Sequence, residues 1–184
     1  MTIPNLLSLF RMGLVPLFII ALVGDHPVRA LAIFLVAGVT DGLDGFIARF
    51  WGQQSHLGSY LDPIADKLLL TSAYVMLAIP PQDGGLAIPV WVSILVIARD
   101  VLIVIVALIL YLALDVGHFP PAMIGKLTTV VQVVTVVLVM LARSMAAFQV
   151  PAIGAIYATA TFTLASGLFY IYRASRMPEA AKGA

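Results

Sequence analysis

The sequence predicts an all-α integral membrane protein, a bundle of six transmembrane helices with a short interfacial helix at the N-terminus. Of its 184 residues, 62% are hydrophobic and 10% are charged, whereas about 25% of the residues in a soluble domain are charged. A transmembrane helix needs about 20 mostly apolar residues, so six of them occupy nearly the whole chain. We therefore expect residues 1–184 to form a single membrane domain.

Six apolar runs mark the expected helices. Each run is long enough to cross a bilayer, and turn or helix-breaking residues such as Pro27, Pro80 and Gly117 fall between the runs. Pro4 suits the first turn of the N-terminal interfacial helix. The expected spans are residues 6–24, 28–50, 62–80, 89–112, 124–143 and 149–173.

The basic residues predict the orientation of this multi-pass chain. With six spans, both termini share one side with the loop between spans 2 and 3. The basic residues on that side are Arg49, Lys67, Lys126, Arg173, Arg176 and Lys182, against Arg29 and Arg143 on the other. Because cytoplasmic loops carry the excess of basic residues, we expect the termini to be cytoplasmic. The first apolar run lacks the features of a signal peptide, which favours a bacterial inner (cell) membrane.

Four aspartates lie where span 2 ends and span 3 begins. Asp41 and Asp44 share one face of their helix, and so do Asp62 and Asp66, because residues three or four apart are neighbours on a helix. Ionised carboxylates inside a membrane are costly and repel one another, so we expect cations between them. The cluster contains no Cys or His, and oxygen ligands alone select Mg²⁺, Mn²⁺ or Ca²⁺. Four carboxylates are enough for two ions.

A pair of such cations is typical of displacement at phosphorus, so the cluster predicts a phosphate-bearing substrate. Gly45 and Gly58 lie among the carboxylates, where the missing side chain lets a ligand approach the backbone. Arg49 is placed to pair with a second phosphate. Two other interpretations remain: ion or proton transporters also bury Asp and Arg, and some intramembrane ion pairs only fix packing. The net charge of +1 argues against a nucleic-acid partner.

The spacing of these residues resembles the signature of the CDP-alcohol phosphotransferase (CDP-alcohol phosphatidyltransferase) family. The match has no departure and runs Asp41-x2-Asp44-Gly45-x2-Ala48-Arg49-x8-Gly58-x3-Asp62-x3-Asp66. The resemblance extends from Ile3 to about Tyr172 and includes the opening I-P-N-L-L-S-L-F-R.

The resemblance implies a role for each residue of the signature. The four aspartates would ligate two divalent cations, Mg²⁺ or Mn²⁺, and Asp66 would also be the general base. The residues that border the CDP group would be Gly45, Ala48, Arg49 and Gly58, with Arg49 on the pyrophosphate. The activity implied is transfer of the phosphatidyl group from CDP-diacylglycerol to a hydroxyl, with release of CMP, in phospholipid biosynthesis. The resemblance also implies a homodimer.

Polar residues elsewhere are expected to line the pocket for the acceptor alcohol, because each is costly in a membrane unless it faces a cavity. They are Asn5, Arg11, Arg99, Lys126, Thr129 and Gln132. Three of them also have a structural interpretation: Arg99 as a packing ion pair with Asp100, Lys126 as a side chain that reaches the interface, and Gln132 as an interhelical hydrogen-bond partner.

The acceptor is predicted from two missing cations. Members of the family that form phosphatidylglycerophosphate usually have Arg-Glu in place of Arg99-Asp100, an arginine at Ala107 and a lysine at Thr128. The chain looks more like the cardiolipin synthases of the family, whose acceptor is phosphatidylglycerol, a phosphodiester with one negative charge. Glycerol 3-phosphate is the main alternative acceptor, and the inositol-phosphate, serine and choline branches of the family share the same signature.

Overall fold

The computed structural model describes residues 3–51, 56–82, 84–114 and 123–182. These residues form six α-helices and one short 3-10 helix, with no strand among them, so the all-α prediction is confirmed. The helices are α1 (Ile3–Val23), α2 (Pro27–Trp51), α3 (His56–Leu77), α4 (Val90–Leu114), α5 (Met123–Ser144) and α6 (Gln149–Lys182), and the 3-10 helix is Ala146–Phe148.

The N-terminal segment differs from the prediction. The expected interfacial helix and the first expected span form one continuous helix, α1, which begins at Ile3. Pro4 lies in the first turn, where a missing backbone N–H costs nothing. Pro16 lies inside α1 without ending it. Residues 3–23 therefore form a single helix, and the prediction of a separate interfacial helix is wrong.

Three described segments are long and apolar enough to cross a membrane. They are Leu6–Val23, Met123–Ser144 and Ala146–Arg173. Large apolar side chains on these helices face outward, for example Ile20 and Leu168, which are 66% and 67% exposed. Such surfaces are expected of a protein whose solvent is lipid. The chain is therefore a membrane protein, and the total of six crossings stays a prediction.

The described chain divides into two compact units. The first unit contains Met1–Ile88 and Val136–Gln149, and the second contains Pro89–Thr135 and Val150–Ala184. In the first unit, α1 packs against both α2 and α3. The two helices that carry the predicted metal ligands, α2 and α3, therefore share α1 as a common support.

Two pairs of residues show how α1 and α2 match each other. The rings of Phe18 on α1 and Phe34 on α2 lie 5.9 Å apart between centroids. Arg11 precedes Phe18 by two helical turns, and Asp41 follows Phe34 by two turns, so each pair shares one helix face. Because the chain reverses between the two helices, the contact of the rings brings Arg11 opposite Asp41.

The second unit joins α5 to α6 through buried hydroxyl groups. The hydroxyl of Thr135 on α5 lies 2.8 Å from the hydroxyl of Thr159 on α6 and 3.0 Å from the carbonyl oxygen of Ala155. Both threonines are completely buried. Side-chain hydrogen bonds of this kind hold membrane helices together where the hydrophobic effect cannot.

Arg143, near the end of α5, fixes the segment that connects α3 to α4 in the first unit. Its Nη2 donates to the carbonyl oxygens of Leu77 (3.0 Å) and Ile79 (2.9 Å), and its Nε donates to Leu86 (3.0 Å). The last carbonyls of a helix lack intrahelical partners, so the guanidinium satisfies the end of α3.

Replacing Arg143 with methionine is expected to lower the free energy of unfolding by about 1.5–3 kcal/mol, the range for hydrogen bonds to a charged group. The measurement is the melting temperature of the purified protein in detergent. Arg29→Met, which removes an exposed arginine from the first turn of α2, is the matched control and is expected to change stability by less than about 0.5 kcal/mol. Equal melting temperatures for the two variants would contradict the assigned role of Arg143.

Candidate active site

The backbone places the four predicted metal ligands on two helices. Asp41 and Asp44 belong to the C-terminal half of α2, and Asp62 and Asp66 to the N-terminal half of α3. Among the described side chains there is no group of three or more His, Cys, Asp or Glu that could hold a metal. The side chains of Asp44, Asp62 and Asp66 lie outside the described part, so their convergence with Asp41 stays a prediction.

Asp41 forms an ion pair that the sequence did not predict. Nη1 of Arg11 lies 2.7 Å from Oδ1 of Asp41, and the Arg11 side chain is completely buried while that of Asp41 is 42% exposed. A buried arginine in a membrane helix needs a partner, and Asp41 is one. The role in the acceptor pocket that the sequence predicts for Arg11 stays a prediction.

The residues predicted to border the CDP group lie on the same two helices as the aspartates. Gly45, Ala48 and Arg49 belong to α2 and Gly58 to α3, and Asn5 of the predicted acceptor pocket belongs to α1. Their side-chain positions lie outside the described part. Their contacts with substrate therefore remain predictions.

Arg99 on α4 is the centre of a polar cluster in the second unit. Its Nη1 lies 2.9 Å from Oδ1 of Asp100, and its Nη2 and Nε lie 2.8 and 3.2 Å from the hydroxyl oxygen of Ser166 on α6. Its guanidinium carbon also lies 5.8 Å from the ring centroid of Tyr170, a cation–π distance. The ion pair with Asp100 neutralises the charge of Arg99, and the α6 side chains hold its guanidinium in place.

Gly125 on α5 lets this cluster form. A Cβ atom at Gly125 would lie 2.8 Å from the hydroxyl oxygen of Tyr170 and 3.2 Å from Nη2 of Arg99. Neither Ser166 nor Tyr170 is among the site residues predicted from the sequence. A weak signal was available, because these two residues are one turn apart on α6 and share a face.

Gly125→Ala is expected to destabilise the protein by about 1–3 kcal/mol, as overpacking of a close contact does. Because Tyr170→Phe removes the nearest atom, the same alanine should cost less in the Tyr170→Phe background. Melting temperatures of the four proteins in this cycle give the coupling. Gly154→Ala, where no atom lies within 4 Å of the added Cβ, is the control. An equal effect of Gly125→Ala in both backgrounds would show that the clash is elsewhere.

The other predicted acceptor residues on α5 have different environments. Lys126 and Thr129 are exposed, and the Thr129 hydroxyl donates to the carbonyl oxygen of Gly125 at 3.2 Å. Gln132 is buried, with Nε2 3.4 Å from the hydroxyl oxygen of Thr163 on α6. Gln132 is therefore an interhelical hydrogen-bond partner, and the structure does not bring these three side chains to one surface.

Thr128 faces α6 and is completely buried. Its hydroxyl donates to the carbonyl oxygen of Ile124 at 2.7 Å and lies 3.3 Å from the carbonyl oxygen of Phe162. A lysine at this position would place an ammonium between two helices, where an unpaired charge is costly. Threonine at this position therefore suits the packing of α5 against α6.

Comparisons with known proteins agree with the signature. The sequence profile of the CDP-alcohol phosphatidyltransferase family matches residues 1–170. A probable phosphatidylglycerophosphate synthase of Mycobacterium tuberculosis is 36% identical over 178 residues, which are 94% of this chain and 81% of that protein. The CMP-forming cardiolipin synthase of Rattus norvegicus is 36% identical over an alignment of 204 positions, covering 99% of this chain and 64% of that protein.

The alignment with a third relative covers a smaller part of both chains. The CDP-diacylglycerol--glycerol-3-phosphate 3-phosphatidyltransferase of Escherichia coli K12 is 40% identical over 104 residues, which are 55% of this chain and 56% of that protein. The relatives therefore share an enzyme class while their names differ in the acceptor. This chain belongs to the CDP-alcohol phosphatidyltransferase family and is a membrane enzyme of phospholipid biosynthesis that acts by CDP-alcohol phosphatidyl transfer.

Proposed function

We propose that this chain transfers the phosphatidyl group of CDP-diacylglycerol to the free hydroxyl of phosphatidylglycerol, which forms cardiolipin and releases CMP. The observation that carries the choice of acceptor is the absence of two cations, since Ala107 and Thr128 stand where the family members that form phosphatidylglycerophosphate usually have an arginine and a lysine. Fewer positive charges suit a phosphodiester with one negative charge better than a phosphomonoester with two. Arg99 does not replace the missing charge, because it pairs with Asp100 at 2.9 Å.

The metal site that we propose is formed by Asp41, Asp44, Asp62 and Asp66, holding two divalent cations, Mg²⁺ or Mn²⁺. The donor set fits such cations, because it consists of carboxylate oxygens and the chain contains no cysteine. Asp41, 42% exposed, can also accept an additional partner beside Arg11. When bound, the cations supply neutralisation of the charge that develops on the transferred phosphoryl group.

The side chains of the signature carry out the other steps. Asp66 accepts the proton of the acceptor hydroxyl, whose oxygen then forms a bond to the phosphorus that carries diacylglycerol. The bond from this phosphorus to the oxygen of CMP breaks, and CMP leaves with the electron pair. Arg49 pairs with the pyrophosphate, while Gly45, Ala48 and Gly58 leave room for the CDP group because their side chains are small or absent.

The setting of the enzyme is part of the proposal. Residues 1–184 form one catalytic membrane domain, a reading supported by the family profile over residues 1–170. The chain crosses a bacterial inner membrane several times with both termini and the carboxylates toward the cytoplasm, because basic residues are more numerous on that side. It acts as a homodimer, as the family resemblance implies.

The acceptor is tested by kinetics of CMP release from CDP-diacylglycerol, with phosphatidylglycerol and glycerol 3-phosphate in parallel reactions. We expect kcat/KM to favour phosphatidylglycerol at least about tenfold, a difference of about 1.4 kcal/mol. A preference of the same size for glycerol 3-phosphate would instead establish phosphatidylglycerophosphate synthesis. That second candidate is supported by the M. tuberculosis relative, 81% of which is covered by the match.

A further inference from the structure

We propose that Arg11 is a positioning residue for the metal site, which holds one oxygen of Asp41 so that the other oxygen faces a divalent cation. This inference rests on the proposed function, because it requires Asp41 to be a metal ligand. It differs from the role predicted from the sequence, in which Arg11 binds the acceptor.

One partner of the ion pair, Arg11, is buried in the protein, and the other, Asp41, is partly exposed. Arg11 is completely buried within the helices of the first unit, and its Nη1 lies 2.7 Å from Oδ1 of Asp41. The Asp41 side chain remains 42% exposed. A carboxylate has two acceptor oxygens, so a guanidinium on Oδ1 leaves Oδ2 available for another partner. Groups that hydrogen-bond to a metal ligand fix its orientation, and their mutation commonly lowers metal affinity 10- to 100-fold.

The position of the guanidinium is set by packing. Arg11 lies two turns from Phe18 on α1, and Asp41 lies two turns from Phe34 on α2, while the two rings are 5.9 Å apart. The completely buried Ala30 and Ala37 on α2 have small side chains that allow a close approach to a neighbouring helix. The register of α1 against α2 that brings the two rings together therefore also places Arg11 beside Asp41.

Two opposite effects of Arg11 on a cation can be separated. Its positive charge repels a cation, whereas its hydrogen bond holds the carboxylate in one orientation. If orientation dominates, loss of Arg11 weakens metal binding. If charge dominates, loss of Arg11 strengthens it. Orientation dominates, because the Asp41 side chain is 42% exposed and its carboxylate is free to rotate once the hydrogen bond to Arg11 is lost.

The test is Mn²⁺ binding to the purified, metal-free protein, measured by electron paramagnetic resonance of unbound Mn²⁺. We expect Arg11→Met to raise the Kd at least about tenfold and Arg11→Lys, which keeps a charged donor, to raise it less. Arg29→Met, which also removes one positive charge from the α1–α2 pair, is the control and should leave the Kd unchanged. At saturating Mn²⁺, the KM for the acceptor should be unchanged in Arg11→Lys.

Where Arg11→Met alone does not fold, the rise in Kd of Arg11→Lys over that of Arg29→Met tests the role of Arg11, and a double variant adds a second condition. Arg11→Met with Asp41→Asn removes both charges together, and its Kd should equal that of Asp41→Asn alone because the oriented group is already lost. An unchanged or lower Kd in Arg11→Met, or a further loss in the double variant, would overturn the role of Arg11. Binding to Asp41→Asn as tight as to the wild type would instead reject Asp41 as a ligand, and with it the proposed metal site.

Discussion

Asp66→Asn is expected to lower the kcat for CMP release by about 10²–10⁴-fold, the usual contribution of a general base. Asparagine keeps the size of the side chain but cannot accept the proton of the acceptor hydroxyl. The affinity for CDP-diacylglycerol should fall much less, since Asp41, Asp44 and Asp62 of the proposed site would still hold metal. The measurement is kcat at saturating substrate, together with the Kd of CDP-diacylglycerol.

The matched control for Asp66 is Asp25→Asn. Asp25 is an exposed aspartate in the turn between α1 and α2, with φ of 55°, a conformation that asparagine also tolerates. This variant should retain the activity of the wild type. Parallel losses of substrate affinity and kcat in Asp66→Asn would indicate that Asp66 acts only as a metal ligand.

Removal of divalent cations is expected to abolish CMP release. In the proposed site, carboxylates without cations would repel one another and the charge on the transferred phosphoryl group would not be neutralised. A chelator should bring CMP release to the level of a reaction without enzyme, and added Mg²⁺ or Mn²⁺ should restore it. Full activity in excess chelator would reject the proposed metal site, while restoration only by Zn²⁺ would contradict the ligand chemistry.

The helices were the most predictable part of the fold because apolar runs and their breakers act locally. The start of α3 was less predictable: the apolar run begins near Asp62, but the helix begins at His56, since polar residues also continue a helix beyond its apolar part. The prediction of a separate interfacial helix was wrong for a related reason. A proline in a first turn marks a helix start, and nothing in residues 5–23 ends the helix.

The part of the candidate site that depends on residue spacing along the chain was predictable from the sequence. The signature from Asp41 to Asp66 identified the family, which the comparisons confirm. The pair of Arg11 with Asp41 was not predictable, because it depends on the register between two helices that the Phe18 and Phe34 rings set.

The cluster around Arg99 depends on three helices. Asp100 was expected as its neighbour in the chain, but the contacts with Ser166 and Tyr170 arise only where Gly125 lets α5 approach. A serine and a tyrosine on an apolar helix do not by themselves indicate that they contact an arginine on another helix.

Phosphatidyl transfer itself is tested most directly by following the label of isotopically labelled CDP-diacylglycerol in the presence of unlabelled phosphatidylglycerol and Mg²⁺. We expect cardiolipin with one labelled and one unlabelled phosphatidyl group, formed in a one-to-one ratio with CMP. Release of CMP with labelled phosphatidic acid, or no release of CMP at all, would contradict phosphatidyl transfer to phosphatidylglycerol.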